Sequence, residues 1–260
     1  MRFRIVDVFT DRPLVGNALC VVLDPCPDDL QPLVAREVNL SETTFPTVTG
    51  AGAYDMRIFT PGGEIPFAGH PSIGTAWVLG PGRWLQHTRQ VTVVVEADAD
   101  GARMSQPDPE VVEQDPAAAV AATGLPGAHA AWRVDVAGTV HVLVATDSPL
   151  EDVRPSMNAV ADVTAAAGAV GLGLFRRLDD RTVHVRVFGP GSGIPEDPGT
   201  GSAAGPVGLL ARAHWGTDVD LTVRQGDEIG RPCRIEVHAE PGSVTVGGRV
   251  AACAEGRFNL

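Results

Sequence analysis

Apolar and polar residues alternate from Arg2 to Phe9, the period of a half-buried strand. Pro13 and Gly16 mark a turn, and Ala18 to Leu23 is an apolar run that predicts a buried strand. The period then lengthens. Leu30, Leu33, Val34 and Val38 fall at helical spacing, with Asp28-Asp29 placed to cap the helix and Asn39 near its end. Thr43 to Thr49 is β-prone, and Met56 to Phe59 predicts another strand. The segment Pro71–Leu79 is different. It is apolar nearly all round (Ile73, Ala76, Trp77, Val78, Leu79), begins with a proline suited to a first helical turn, and stops at Gly80-Pro81. A helix without a polar face is buried on all sides.

The second half repeats this alternation. Val91–Ala97 and Ala102–Ser105 read as strands, and the acidic, Pro-rich stretch Pro107–Pro116 reads as a linker. A short helix over Ala117–Thr123 precedes strands at Trp132–Val136 and Val140–Ala145. A helix over Met157–Ala167 and a strand over Val183–Phe188 follow. Ser202 is placed to cap a second largely apolar helix, Ala203–Ala213, with Pro206 tolerated in its opening turn, where N–H groups have no intrahelical partner. Strands then cover Asp220–Arg224, Cys233–Ala239 and Ser243–Val250. The pattern predicts an α+β protein of two pseudo-symmetric lobes, 1–112 and 113–260, with the last strand free to return to the first lobe. A curled, mostly antiparallel sheet around each apolar helix accounts for the missing polar face; a two-layer lobe would also serve.

One segment occurs twice. Arg57-Ile-Phe-Thr-Pro-Gly-Gly-Glu-Ile-Pro66 and Arg186-Val-Phe-Gly-Pro-Gly-Ser-Gly-Ile-Pro195 share six of ten positions, at an offset of 186 − 57 = 129, about half of the 260 residues. A duplicated half places a site at the pseudo-symmetry axis.

Composition narrows the classes of function. A formal charge of −12 argues against a broad nucleic-acid footprint. All 20 basic residues are arginine, which removes Schiff-base and P-loop lysines. Cys20, Cys26, Cys233 and Cys253 form no C-x-x-C pair and have no nearby His at metal spacing, so no metal site is expected. No stretch approaches the ~18 apolar residues of a membrane span, and the N-terminus lacks an apolar leader. The expectation is a cytoplasmic protein handling a small molecule, with no membrane and no nucleic-acid partner.

The two copies enter Gly-rich turns that begin the two apolar helices. Helix N-termini offer free N–H groups and a positive dipole end, so two of them facing each other would hold a small carboxylate; the glycines alone would also serve tight turns. The copies diverge after the shared Ile-Pro. The first continues Phe67-Ala68-Gly69-His70, the second Glu196-Asp197-Pro198-Gly199. One lobe thus offers an imidazole and the other a carboxylate. Glu42, between Leu40 and Phe45, is a third candidate. In a buried junction it would have a raised pKa and could act as a general base; the plainer alternative is a solvated Glu at a helix end.

These segments together resemble the PhzF family, named for phenazine biosynthesis. The resemblance rests on Gly16-Asn17, Asn39-Leu-Ser-Glu-Thr-Thr-Phe45, Arg57–Pro61, Glu64–Pro71, Glu196–Pro206 and Gln225–Pro232, in order along the chain. Ala18 stands where the family commonly has proline. The resemblance implies a diaminopimelate-epimerase-like fold, a homodimer and a cofactor-independent isomerase. It makes Glu42 the acid/base carboxylate and His70, Asp197 and Ser202 substrate-holding residues, with Ser41, Gly69 and Gly201 nearby. Epimerases of that fold use two cysteines at the helix starts, and this chain has neither. The implied reaction is a proton and double-bond shift in a small unsaturated cyclic amino acid, like that of trans-2,3-dihydro-3-hydroxyanthranilate isomerase. Pyrroline-type double-bond isomerases of alkylproline pathways and a non-catalytic carboxylate-binding protein are the alternatives. The Arg- and Ala-rich coding suggests a high-GC bacterium and a role in antibiotic or other secondary metabolism.

Overall fold

Strand-forming runs that alternate with two largely apolar helices can bury those helices by wrapping around them, and the computed structural model, which describes Met1–Leu260, has this arrangement. The elements run β1 (Arg2–Val8), β2 (Asn17–Val22), α1 (Gln31–Val38), β3 (Glu42–Gly50), β4 (Ala53–Thr60), β5 (Gly63–Ile65), α2 (Gly69–Leu79), β6 (Gly82–His87), β7 (Thr92–Ala97) and β8 (Gly101–Gln106). They continue β9 (Glu110–Gln114), α3 (Ala117–Thr123), β10 (Ala128–Val136), β11 (Thr139–Thr146), α4 (Met157–Ala167), β12 (Gly171–Asp179), β13 (Thr182–Gly189) and β14 (Ile194–Asp197). The last are α5 (Gly201–Trp215), β15 (Asp220–Gln225), β16 (Cys233–Glu240) and β17 (Ser243–Arg257).

The two lobes repeat one ladder order. In the first, β1 pairs antiparallel with β2, β2 parallel with β3, β3 antiparallel with β4, and β4 parallel with β6, which leads antiparallel through β7 to β8. In the second, β10, β11, β12, β13, β15, β16 and β17 follow the same sequence of senses. Each curled sheet encloses its helix, α2 or α5. The eight residues from Gly69 to Ala76 are all buried, as are the eight from Gly201 to Gly208. Gly69 and Gly74 each cost α2 about 1 kcal/mol of helix propensity. Full burial of Ile73 alone offsets about 2 kcal/mol of this.

The stretch read as a linker is a correction. Residues 110–114 form β9, which pairs antiparallel with β10. The reason is an exchange of strands. β8 and β17 cross antiparallel, Gly101–Gln106 against Val244–Arg249. Beyond the crossing, β17 continues along β1, Arg2–Val8 against Val250–Arg257, while the chain after β8 supplies β9 to β10. Acidic and proline-rich character marks β9 as a solvent-facing edge, and all five of its residues are exposed.

A core of 33 buried residues runs through both lobes and takes in Ile73 and Ala76 of α2 and Ala203, Ala204 and Val207 of α5. Satellite clusters sit under α1 (Val34, Phe45, Phe59) and under α3 and α4 (Ala119, Val160, Phe188). Polar groups on the buried helices are satisfied in chains. Tyr54 donates to Gln86 Oε1 at 2.7 Å, Gln86 Nε2 to Ser72 Oγ at 2.9 Å, and Ser72 Oγ to the Ala68 carbonyl at 2.8 Å.

Three local expectations change. Asp28-Asp29 do not cap α1; Leu30 is the cap residue and makes no side-chain bond. Ser202 does not cap α5, which begins at Gly201 with Thr200 preceding it. Pro206 therefore lies a full turn inside the helix, where its missing N–H leaves the Ser202 carbonyl without a helical partner. Gln106 supplies that partner, donating Nε2 to Ser202 O at 3.1 Å and to Gly201 O at 3.3 Å.

The leading arginine of each copy grips a glutamate, inside the first copy and one residue past the end of the second. Arg57 grips Glu64 through Nε and Nη2, both at 2.9 Å, and Arg186 grips Glu196 in the same way, again at 2.9 Å. Each guanidinium lies 5.0 Å from the ring two residues on, Phe59 or Phe188.

Candidate active site

The two helix starts meet backbone to backbone. A Cβ on Gly69 would fall 2.6 Å from the Gly201 carbonyl carbon, and one on Gly201 would fall 2.9 Å from the His70 nitrogen. The turns of the two repeats also touch: a Cβ on Gly62 would lie 3.2 Å from the Ser192 carbonyl oxygen. Two positive dipole ends held together favour an anion between them. Beside them lies a cavity of about 60 Å³. Its walls draw on both copies, Thr60 and Ile65 from one and Val187, Gly189, Ser192 and Ile194 from the other, with Phe67 and Ala68 following the first. Glu42, Asp197, Thr200, Ser202, His141 and Gly171 also line it. A larger surface depression of about 710 Å³, on the outer face of β15–β17, gathers Arg103, Arg181, Glu236 and His238 but lies away from both helix starts.

Glu42, the first residue of β3, is 8% exposed. Burial and the nearby charge of Asp197 push its carboxyl well above the usual carboxylate range. Its Oε2 lies 3.2 Å from His70 Nδ1 yet has no hydrogen-bond partner of good geometry. His70 is the second residue of α2; burial pushes its imidazole down to about 3, against a raising contribution from the Ala18 carbonyl. Burial thus disfavours the charged form of both groups.

Asp197 ends β14. Successive strand residues point to opposite faces, so Glu196 meets Arg186 while Asp197 turns to the cavity. Burial raises its pKa against opposing bonds from Thr200 and Asn17. Thr200 Oγ1 donates to Oδ2 at 2.5 Å, and Asn17 Nδ2 donates to Oδ1 at 2.8 Å. Ser41 Oγ stands 3.5 Å from the same Oδ1. Ser202, in the first turn of α5, has its Oγ 2.9 Å from His141 Nε2. All seven residues singled out in the sequence, Ser41, Glu42, Gly69, His70, Asp197, Gly201 and Ser202, thus converge where the lobes meet.

Four further residues hold the site together. Asn17 reaches three groups at once: Asp197, the Gly199 carbonyl at 2.9 Å and His70 Nδ1 at 3.5 Å. Gln225 clamps the 197–200 loop, donating to Asp197 O at 2.8 Å and Thr200 Oγ1 at 2.9 Å and accepting from Thr200 N at 3.1 Å. Arg231 donates to Asp7 Oδ1 at 2.6 Å and to the Gly16 carbonyl at 2.8 Å, fixing the turn that presents Asn17. Asn17, Gln225 and Arg231 stand in the motifs that carry the family resemblance, but nothing local in the sequence assigns them these jobs. His141 was missed too. Its signal is a single polar residue in the apolar run Val140–Ala145.

No cysteine lies at either helix start. Cys233 backs the 197–200 loop from outside, and burial together with the Asp197 charge keeps its thiol protonated. No three His, Cys, Asp or Glu side chains converge as metal ligands would, and no helix is long and apolar enough to cross a membrane.

Two predictions arise here. Gly69→Ala forces the helix starts apart, since backbone cannot yield as a side chain does. We expect kcat/KM to fall about 10²-fold, the cost of an ångström-scale misplacement, with about 1–3 kcal/mol lost in denaturant titration. Gly191→Ala, whose Cβ would meet nothing within 4 Å, leaves both values unchanged. The second concerns pH. Burial pushes His141 down to about 4. The unfolded chain takes up its proton below about pH 6.5 and the folded one does not. His141 therefore supports stability above that pH and loses its support as pH falls toward 4. In His141→Gln the acid-side decline becomes shallower by roughly 1 kcal/mol per pH unit; identical slopes would show that His141 titrates alike in both states.

Two lobes, each a sheet curled around a buried helix, that meet at the two helix starts define the diaminopimelate-epimerase-like fold. Consistent with this, a probable proline racemase from Agrobacterium radiobacter K84 superposes with a TM-score of 0.70 at 12% identity, covering 100% of this chain and 93% of its own. Within that class the chain belongs to the PhzC-PhzF family, phenazine biosynthesis-like proteins, which it matches over residues 6–256. It is 36% identical to the trans-2,3-dihydro-3-hydroxyanthranilate isomerase of Pseudomonas aeruginosa, over 100% of this chain and 99% of that protein. A predicted epimerase of known structure from the same organism superposes with a TM-score of 0.86 at 30% identity, covering 100% and 99% of the two chains. By family the chain is an enzyme, an isomerase of the PhzF type.

Proposed function

We propose that the protein is a cofactor-independent isomerase that moves a proton, and with it a double bond, within a small unsaturated cyclic amino acid. The observation that carries this reading is Glu42: a buried carboxylate on the cavity wall, raised in pKa, with one oxygen free of hydrogen bonds. In the proposed reaction Glu42 removes a proton from one ring carbon. The C–H electrons shift the double bond along the ring, and the protonated Glu42 returns the proton to another carbon on the same face. No atom is gained or lost. His70 and Asp197 orient the amino or hydroxyl groups of the substrate. Ser202 and the Gly69 and Gly201 N–H groups bind its carboxylate and the negative charge that develops in the transition state.

Trans-2,3-dihydro-3-hydroxyanthranilate is the favoured substrate, because the P. aeruginosa relative bearing that activity in its name matches along its whole length. Incubation with this compound in D₂O, followed by NMR, should show deuterium entering a ring carbon as the product forms. A pyrroline carboxylate run in parallel tests the alkylproline alternative. Ligand-induced stabilisation without exchange of either compound would make the protein a binding module instead. A cytoplasmic homodimer is part of the proposal on the family resemblance, and sedimentation of the purified protein measures its oligomeric state.

A further inference from the structure

His141 projects from β11 into the wall of the cavity and is 2% exposed. One ring nitrogen is engaged: Nε2 lies 2.9 Å from Ser202 Oγ. The other, Nδ1, is buried without any partner. A lone polar atom at such depth is costly unless something supplies the missing bond. Gly171 pairs with His141 in the β11–β12 ladder, and both residues line the cavity.

The Ser202 hydroxyl sits at the positive start of α5, where an anion is bound by donation. A serine hydroxyl has one hydrogen. If it points to the anion, its lone pair accepts from His141 Nε2–H, and the neutral imidazole then presents Nδ1 as an acceptor. We infer that His141 is a substrate-contacting, specificity-determining residue: it fixes Ser202 as a donor to the substrate carboxylate and accepts, at Nδ1, an N–H or O–H carried next to that carboxylate. The substrate class becomes narrower, a small cyclic acid with an amine or hydroxyl adjacent to its carboxyl group. This rests on the reading of the cavity as a small-carboxylate site and adds a selectivity that reading does not require.

The probes are 2-aminobenzoate and benzoate, planar ring acids that differ only in the donor, with binding measured by calorimetry. Wild type should bind 2-aminobenzoate about tenfold tighter, the worth of one neutral hydrogen bond. His141→Gln keeps an amide N–H near the Nε2 position but nothing at Nδ1; it should bind benzoate as wild type does and lose the preference for the amine. His141→Asn places an amide oxygen near Nδ1 and abandons Ser202; it should keep the preference while weakening both acids. A preference unchanged in His141→Gln, or none in wild type, overturns the assignment. Should either variant fail to fold, ¹⁵N NMR of the wild-type imidazole decides: an unprotonated Nδ1 supports it and a protonated Nδ1 overturns it. If neither acid binds wild type, the small-carboxylate reading itself fails and this assignment falls with it.

Discussion

Glu42→Gln is expected to lower kcat/KM by about 10²–10⁴-fold, the contribution of one positioned acid/base group, while leaving analogue binding within a few-fold of wild type. The amide has the shape of the carboxyl it replaces but cannot accept a proton from carbon. It also fits the local chemistry. Glu42 Oε2 stands 3.2 Å from His70 Nδ1, so an amide N–H there can donate to the neutral imidazole and the fold is kept. Asp197, the other carboxyl group on the cavity wall, is the weaker candidate for this role. Both of its oxygens are engaged, Oδ1 by Asn17 and Oδ2 by Thr200, whereas Glu42 Oε2 is unpartnered. Near-normal turnover in Glu42→Gln would remove Glu42 from the chemistry.

The same group sets the pH profile. The base form is the unprotonated one, and burial raises the Glu42 pKa well above the ordinary carboxylate range. Activity should therefore be present above that raised value and fall as pH drops through it, with an inflection higher than a solvated glutamate gives. His70, pushed down to about 3, is neutral throughout this range and contributes no second inflection. A profile flat from pH 8 to pH 4 would contradict the assignment.

What the sequence made legible follows from the range of the forces involved. The two buried helices were visible because a missing polar face is a local property of Pro71–Leu79 and Ala203–Ala213. The repeat was visible because its ten residues form a strand, a tight turn and the approach to a helix start, all short-range. The route of the chain between lobes was not. Nothing between Pro107 and Pro116 tells that it will pair with β10, because the template for β9 is a strand contributed by residues 131–135. Helix boundaries failed for the same reason. α5 starts at Gly201 and carries Pro206 inside it only because Gln106, 95 residues earlier than Gly201, supplies the missing donor. In the site, candidates next to the helix starts could be read from broken symmetry, His70 against Asp197. Asn17, Gln225 and Arg231 act across separations of 180, 28 and 215 residues, which no local pattern records.

Arg186→Met is expected to cost about 3–5 kcal/mol in denaturant titration, and the matching substitution in the other copy, Arg57→Met, about 1 kcal/mol or less. The two arginines occupy equivalent places in the repeat and make the same paired bonds to a glutamate. Their surroundings differ. The Arg186 side chain is 5% exposed against 24% for Arg57. Arg186 also donates to the Leu150 carbonyl at 2.7 Å and the Val153 carbonyl at 2.8 Å, so its loss strands the Glu196 carboxylate and removes one donor from each of two carbonyls. Glu64, by contrast, keeps a second cation, Arg89, at 3.2 Å and is open to water. Removing both charges in Arg186→Met/Glu196→Met should recover much of the loss, because no buried carboxylate is then left unpaired. The single variant should also weaken turnover beyond its effect on stability. Glu196 precedes Asp197 on β14, and releasing one frees the strand that aims the other at the cavity. Equal costs in the two copies would show that the repeat, and not the burial it acquired in the second lobe, sets the worth of the pair.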